Sequence, residues 1–374
     1  MLILLALAWA VAAKNCKNIT VPISISSRNS VINLNIPKTE IEVTNMLLEF
    51  SKRNTNYSQS IITGHTSITK DYKLATTYCE PENGPGHTLQ VLTHGLGFDR
   101  SYWDFSYNNY NYSYVNQAIR QGYSTLSWDR LGVGQSSHGD PLSEIQIALE
   151  TAALKALTER VKDGKLGDVK TKFSKMVHIG HSYGSAITFS LSSMYPNITD
   201  GIVLTGFSQN PSFVANIALG GNFAPVKENP VLANKYPEGY LAPKSSIDVH
   251  IIFFAPGDFD PKVLDIVASA GQPVTPGEIL TFSTIGSESQ FGGPVLIITG
   301  EKDIPFCGGD CFNAMSVNGS APDLLEMSRP NFEKASVFQT KVVPGAGHGL
   351  NQQYSSGFTY KVILDFLSQT CKMH

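Results

Sequence analysis

Gly180-His181-Ser182-Tyr183-Gly184 constrains this chain more than any other stretch. It fits the G-x-S-x-G pattern of a strand-to-helix turn that lifts a serine to its apex. The apolar run Met176-Val177-His178-Ile179 before it predicts a strand. The small-residue run Ser185-Ala186-Ile187-Thr188-Phe189-Ser190-Leu191 after it is compatible with a helix. Glycine belongs at both ends because a Cβ would clash in so tight a turn. Such a helix aims the partial positive charge of its N-terminus at the apex, where it favours a developing oxyanion. The pentapeptide alone is a weak signal; the strand before it and the helix after it make it specific.

A serine hydroxyl is a poor nucleophile without an adjacent base, usually a histidine held in one tautomer by a carboxylate. On an elbow of this kind the chain order is serine, then Asp or Glu, then histidine. Downstream, Pro294-Val295-Leu296-Ile297-Ile298 reads as a buried parallel strand. Asp303 falls on the loop past its C-terminal end, where open α/β sheets place ligand-facing residues. Glu301, nearer the strand, and Asp310, inside a cysteine pair, are the alternative acids. Among nine histidines, His348 alone follows a late strand within a glycine-rich loop, Pro344-Gly345-Ala346-Gly347-His348-Gly349. His178 is expected in the core or on a sheet face, and His181 fills the free position of the elbow. A further strand, Leu89 to Thr93, ends in His94-Gly95. The expected oxyanion donors are the backbone N–H groups of Tyr183 and Leu96.

These residues together resemble the α/β-hydrolase superfamily. His94-Gly95-Leu96-Gly97, Asp129-Arg130-Leu131-Gly132-Val133-Gly134-Gln135-Ser136, the elbow, Asp303 and His348 stand in that family's order across nearly the whole chain after the leader. The resemblance implies a mostly parallel central sheet, helices on both faces and an inserted cap. No cofactor is expected. The resemblance also makes the Asp129-Arg130 segment a structural loop after the fourth strand, read here as a local ion pair. Haloalkane dehalogenases and epoxide hydrolases share the fold but carry an aspartate at the apex, so Ser182 disfavours both. A narrower resemblance to secreted fungal serine hydrolases rests on Cys16 with Val21-Pro22-Ile23-Ser24, on Tyr78-Cys79-Glu80-Pro81, on Ser101-Tyr102-Trp103-Asp104 and on Phe306-Cys307-Gly308-Gly309-Asp310-Cys311.

The leader and the cysteines point outside the cytosol. Leu2 to Val11 is apolar and runs into Ala12-Ala13. This is the h-region and small-residue cleavage pattern of a signal peptide, too short to span a bilayer. Residues 1–13 are therefore expected to be removed. Five Asn-x-Ser/Thr sequons, at Asn18, Asn56, Asn111, Asn197 and Asn318, are glycan acceptors in a secreted eukaryotic protein. Five cysteines leave at least one unpaired within the chain. Cys307 and Cys311 are expected to close a small loop just after Asp303. The spacing does not settle the rest; Cys16–Cys79 with Cys371 free is the pairing we expect.

Along the chain, residues 17–80 are β-prone and predict an antiparallel start to the sheet, with a turn over 81–87. From Leu89 the pattern becomes βαβ. A helix is expected from Ser143, with Gln146 completing a capping box and Ile145, Ala148, Leu149, Ala152 and Ala156 on its apolar face. Between Phe207 and about Gly286 the strand rhythm breaks. This apolar, proline-rich stretch (Phe213, Phe223, Tyr240, Phe253, Phe254, Phe259) is the expected cap, shaping an apolar pocket. The core halves are then 14–206 and 287–374. The tyrosines from Tyr102 to Tyr114 are expected mostly as a polar surface loop, with some rings at the pocket mouth.

A formal charge of −3 argues against a nucleic-acid binder. No H-E-x-x-H occurs, and Gly132-Val133-Gly134 lacks the third glycine of a dinucleotide fingerprint. The expected chemistry is acyl transfer to water from a small-molecule or lipid-like ester or lactone, with no metal. A peptidase, a C–C hydrolase or a perhydrolase could use the same residues, and a non-catalytic binding protein could keep the fold. Oligomeric state is not legible in the sequence.

Overall fold

The computed structural model describes residues 14–371. The expected signal peptide, residues 1–13, lies outside them. The chain opens with a long hairpin, β1 (Lys14–Ile32) and β2 (Ile62–Pro81), paired antiparallel from Lys14↔Pro81 to Ile32↔Ile62. Between its arms lies α1 (Glu40–Phe50). Then follow β3 (Thr88–Thr93), α2 (Tyr114–Arg120), β4 (Ser124–Trp128), α3 (Ile147–Lys162), β5 (Lys175–His181), α4 (Tyr183–Met194) and β6 (Gly201–Thr205). Residues 207–286 hold α5 (Ala215–Gly220), α6 (Ser246–Phe253), α7 (Pro261–Ala270), α8 (Pro276–Thr281) and a small antiparallel pair, Phe223–Pro225 with Leu241–Pro243. The chain closes with β7 (Val295–Gly300), β8 (Phe338–Val343) and α9 (Ser356–Thr370).

The eight strands form one sheet in the order β1-β2-β4-β3-β5-β6-β7-β8. Only β1–β2 and β2–β4 are antiparallel; every later pair is parallel. Parallel neighbours need crossover helices, which cover the faces and force the strands to be apolar on both sides. Accordingly β3, β4, β6 and β7 are buried at every residue. The edge strand β8 alternates instead, with Gln339 and Lys341 exposed. Helices α3 and α4 pack together, as do α2 and α9, and each pair lies on the sheet. Among the described residues, no helix is long and apolar enough to cross a membrane.

The hairpin register brings Cys16 opposite Cys79, and the two form a disulfide; Cys307 and Cys311 form the second, leaving Cys371 as a free, buried thiol. All five sequon asparagines are exposed.

Three expectations need correction. The β-prone stretch 17–80 contains α1, which starts at a capping box: the Thr39 hydroxyl accepts from Glu42 N–H, and the Glu42 carboxylate accepts from Thr39 N–H. Its Val43, Met46 and Leu47 are buried, each contributing about 1.5–3 kcal/mol. The helix expected from Ser143 begins instead at Ile147, after a turn organised by Asp140, whose Oδ1 accepts from Leu142 and Ser143 N–H. Gln146 makes no capping bond; its amide ties Ser30 and Leu142 across to the hairpin. Finally, the Tyr102–Tyr114 stretch is a surface loop only in part, with Ser106 and Asn108 to Asn111 exposed. Tyr102, Tyr112 and Tyr114 are buried, Tyr114 bonding Gln90, and only Tyr110 of the tyrosines is exposed.

Candidate active site

Ser182 stands between the end of β5 and the first residue of α4, with φ +55° and ψ −120°. A non-glycine residue held there stores about 1–3 kcal/mol of strain, which the surroundings must enforce. They do so through backbone packing. A Cβ on Gly180 would lie 2.4 Å from the Gly184 carbonyl oxygen, and one on Gly184 would lie 2.3 Å from that of Thr93. The Ser182 N–H donates to Thr205 O at 2.8 Å, fixing the apex to β6.

The structure brings together the three side chains singled out from the sequence. Ser182 Oγ donates to His348 Nε2 at 2.8 Å. With Nε2 accepting, the ring proton is on Nδ1, which donates to Asp303 Oδ2 at 2.6 Å. All three side chains are buried. The second Asp303 oxygen accepts from Phe306 N–H at 2.8 Å, so the carboxylate also caps the short helix Ile304–Cys307. The Cys307–Cys311 disulfide closes the loop behind that helix, and Cys311 N–H returns to Glu301 O. The alternative acids point elsewhere. Glu301 accepts from Gly345 N–H at 2.7 Å, bracing the loop that carries His348, and Asp310 accepts from Phe312 N–H.

His348 is fixed from the 207–286 segment as well. Gly349 N–H donates to Phe253 O, and Gln353 accepts from Gly347 N–H while reaching Phe253 O. The Phe253 ring lies nearly parallel to the imidazole at 5.8 Å. Nothing in the local sequence of Gln353 marks this role, which depends on two distant segments meeting.

Leu96 and Tyr183, the expected oxyanion donors, line one cavity with Ser182. Neither N–H has a hydrogen-bond partner among the described residues. The other walls are Phe50, Val214, Ile217, Ile279, Phe282, Pro305 and Phe306, with Glu278 among them. The pocket is apolar, as expected. The 207–286 stretch supplies Val214, Ile217, Ile279 and Phe282 to it, while Phe50 comes from α1 and Phe306 from the Asp303 loop.

His181 is buried beside the site. Its ring stacks on Tyr102 at 4.4 Å and lies 5.0 Å from His348, and burial, reinforced by the His348 and His94 rings, holds it well below the usual histidine range. His178 is a core residue, its ring nitrogens meeting Thr158 and Thr199 at 2.9 Å. The Asp129-Arg130 pairing expected from the sequence is absent. Asp129 takes Arg100, whereas Arg130 takes Glu150 and Glu278. Adjacent side chains on a chain leaving a strand diverge, so each finds its partner elsewhere.

Among the described residues, the only grouping tight enough for a metal is Cys16, Cys79 and Asp104, and its two sulfurs are joined in the disulfide.

Solved structures with the same fold include a thermophilic esterase from Thermogutta terrifontis (TM-score 0.55, 15% identity, covering 81% of this chain and 95% of that one). An enol-lactonase from Burkholderia xenovorans LB400 aligns with TM-score 0.51 and 16% identity over 79% of this chain and 97% of that one. A bromoperoxidase from Bacillus anthracis aligns with TM-score 0.52 and 18% identity over 80% and 96%. No curated protein matches the sequence. The model of the alpha/beta hydrolase family matches residues 90–357, from β3 through the His348 loop to the start of α9, and the chain belongs to that family.

Proposed function

We propose that this chain is a serine hydrolase that cleaves a carboxylic ester or lactone through an acyl-enzyme, working outside the cytosol. The observation that carries the reading is the unbroken path from Ser182 Oγ through His348 to Asp303, ending on a serine held at φ +55°. Ser182 attacks the carbonyl carbon as its proton passes to His348 Nε2. Asp303 orients the ring and stabilises the imidazolium. The N–H groups of Leu96 and Tyr183 receive the oxyanion. His348 then protonates the departing alkoxide, and the acyl-enzyme is hydrolysed by a water that gives its proton to the same nitrogen. The apolar lining beside Ser182 favours an uncharged acyl group. Secretion is supported by the leader pattern, the two disulfides and the exposed sequon asparagines.

The test is fluorophosphonate labelling of protein recovered from the medium of a eukaryotic host, with peptide mass spectrometry. The expected result is an adduct on Ser182, lost in Ser182→Ala, on a chain lacking its first 12 or 13 residues and bearing glycans at sequon asparagines. A folded protein with no adduct refutes the nucleophile; a chain retained in the cell with its leader intact refutes secretion. A panel of esters, lactones and amides then ranks the bond cleaved.

A further inference from the structure

Arg130 is fully buried at the start of the loop after β4. Its Nη1 donates to two carboxylates, Glu150 on α3 and Glu278 on α8, the latter at 2.5 Å. Its Nη2 reaches the Gly95 carbonyl oxygen at 3.4 Å. Its backbone N–H donates to His94 Nε2 at 3.1 Å, which puts the His94 proton on Nδ1, and Nδ1 donates to the same Gly95 oxygen at 2.9 Å. The guanidinium carbon also sits 4.8 Å from the centre of the Tyr183 ring.

A buried ion cluster of this kind is a poor source of stability, because desolvating three charges offsets their attraction. Its placement suggests another use. Gly95 C=O and Leu96 N–H are the two ends of one planar peptide unit, so whatever fixes the carbonyl fixes the direction of the N–H. A cation at the carbonyl end also polarises that unit and strengthens its donor. Tyr183, under the same guanidinium, supplies the other N–H.

We propose that Arg130 is a positioning residue for the oxyanion hole, setting the Gly95–Leu96 peptide together with His94 while Glu150 and Glu278 hold its guanidinium in place. The proposal rests on reading Ser182 as the nucleophile. It also gives Glu278 a second role. This residue lines the Ser182 cavity and belongs to the 207–286 segment, so the seating of that segment is tied to the donor geometry.

Removing Arg130 alone would leave two buried carboxylates without a partner, so the test uses Arg130→Met combined with Glu150→Gln and Glu278→Gln, alongside Arg130→Lys in the otherwise unchanged chain. Two quantities are measured on folded protein: kcat and KM for a p-nitrophenyl ester, and the affinity for an aryl trifluoromethyl ketone, which binds serine hydrolases as a tetrahedral oxyanion. Loss of one oxyanion donor lowers kcat by about 10²–10³. The triple variant is expected to lose at least about tenfold in kcat and a matching factor in ketone affinity, with KM within about threefold. Arg130→Lys, which cannot reach both carboxylates and Gly95 at once, should show a smaller loss in the same two quantities. Near-unchanged kcat and ketone affinity in the folded triple variant overturns the proposal; if that variant does not fold, unchanged values in Arg130→Lys do so. Wild-type protein that fluorophosphonate does not label at Ser182 refutes the nucleophile and this proposal with it, whereas labelled wild type with unaffected variants refutes this proposal alone.

Discussion

Ser182 occupies a backbone position that chain chemistry alone would not select, a serine in the left-handed region, whereas Asp303 sits at an ordinary extended N-cap with both carboxylate oxygens committed. Asp303 divides its oxygens between His348 Nδ1–H and Phe306 N–H, so its position is fixed before any substrate arrives. An amide in its place can keep only one of these bonds, because its NH₂ must face the other N–H donor or force the imidazole into the other tautomer. Asp303→Asn is therefore expected to lower kcat by about 10⁴ through the wrong imidazole tautomer, with KM little changed. Steady-state kinetics on folded protein would check it; a loss of less than about tenfold would move the orienting role to another acid.

At the level of elements, the site is a set of loops at strand ends, each braced by a device of its own. The elbow is locked by glycine contacts to β3, the His348 loop by Glu301 and Gln353, and the Asp303 loop by the Cys307–Cys311 disulfide. Both cysteines of that bridge are buried, and it directly follows the helix that Asp303 caps. Replacing them as a pair, Cys307→Ser with Cys311→Ser, should cost about 2 kcal/mol by loop-closure entropy. It should also lower kcat severalfold by loosening the acid. Urea unfolding and kinetics measured on the same preparation would check both; unchanged kcat at reduced stability would limit the bridge to a structural role.

Taken whole, the described residues include three buried, neutral histidines outside the Ser182–His348–Asp303 chain. Burial holds His94, His178 and His181 below the usual histidine range, with added repulsion from Arg130, Lys162 and His348 respectively; His178 is pushed down to about 3. The unfolded chain takes up these protons near pH 6.5, and the folded chain resists them. Their contribution to stability is thus complete above pH 6.5 and is lost as the pH falls toward the folded values. The urea midpoint is expected to decline steadily from pH 6.5 to 4, and His178→Asn should flatten part of that slope. A midpoint that stays level over this range would show that the buried rings titrate normally.

Much of this was legible in one dimension because it is local. The elbow announces itself within five residues, since its glycines, strand and helix are all short-range requirements. The strand end bearing Asp303 follows from an apolar run that a buried parallel strand must have, and His348 from a late β-prone strand running into a glycine-rich loop. The Cys307–Cys311 bridge spans four residues. Helix α1 was legible too, in Thr39 to Glu42 and the spacing of Val43, Met46 and Leu47, but β propensity on either side masked it. What the tertiary structure decided is every pairing between distant segments. It chose Asp303 over Glu301 and Asp310, because only Asp303 leaves its strand toward the histidine. It placed Phe50 of α1 in the pocket wall and sent Arg130 to Glu150 and Glu278 rather than to its neighbour Asp129. Local preference acts over one turn or one strand, whereas the partner of a buried charge is set by which elements the sheet order brings together, and that order is a property of the whole fold.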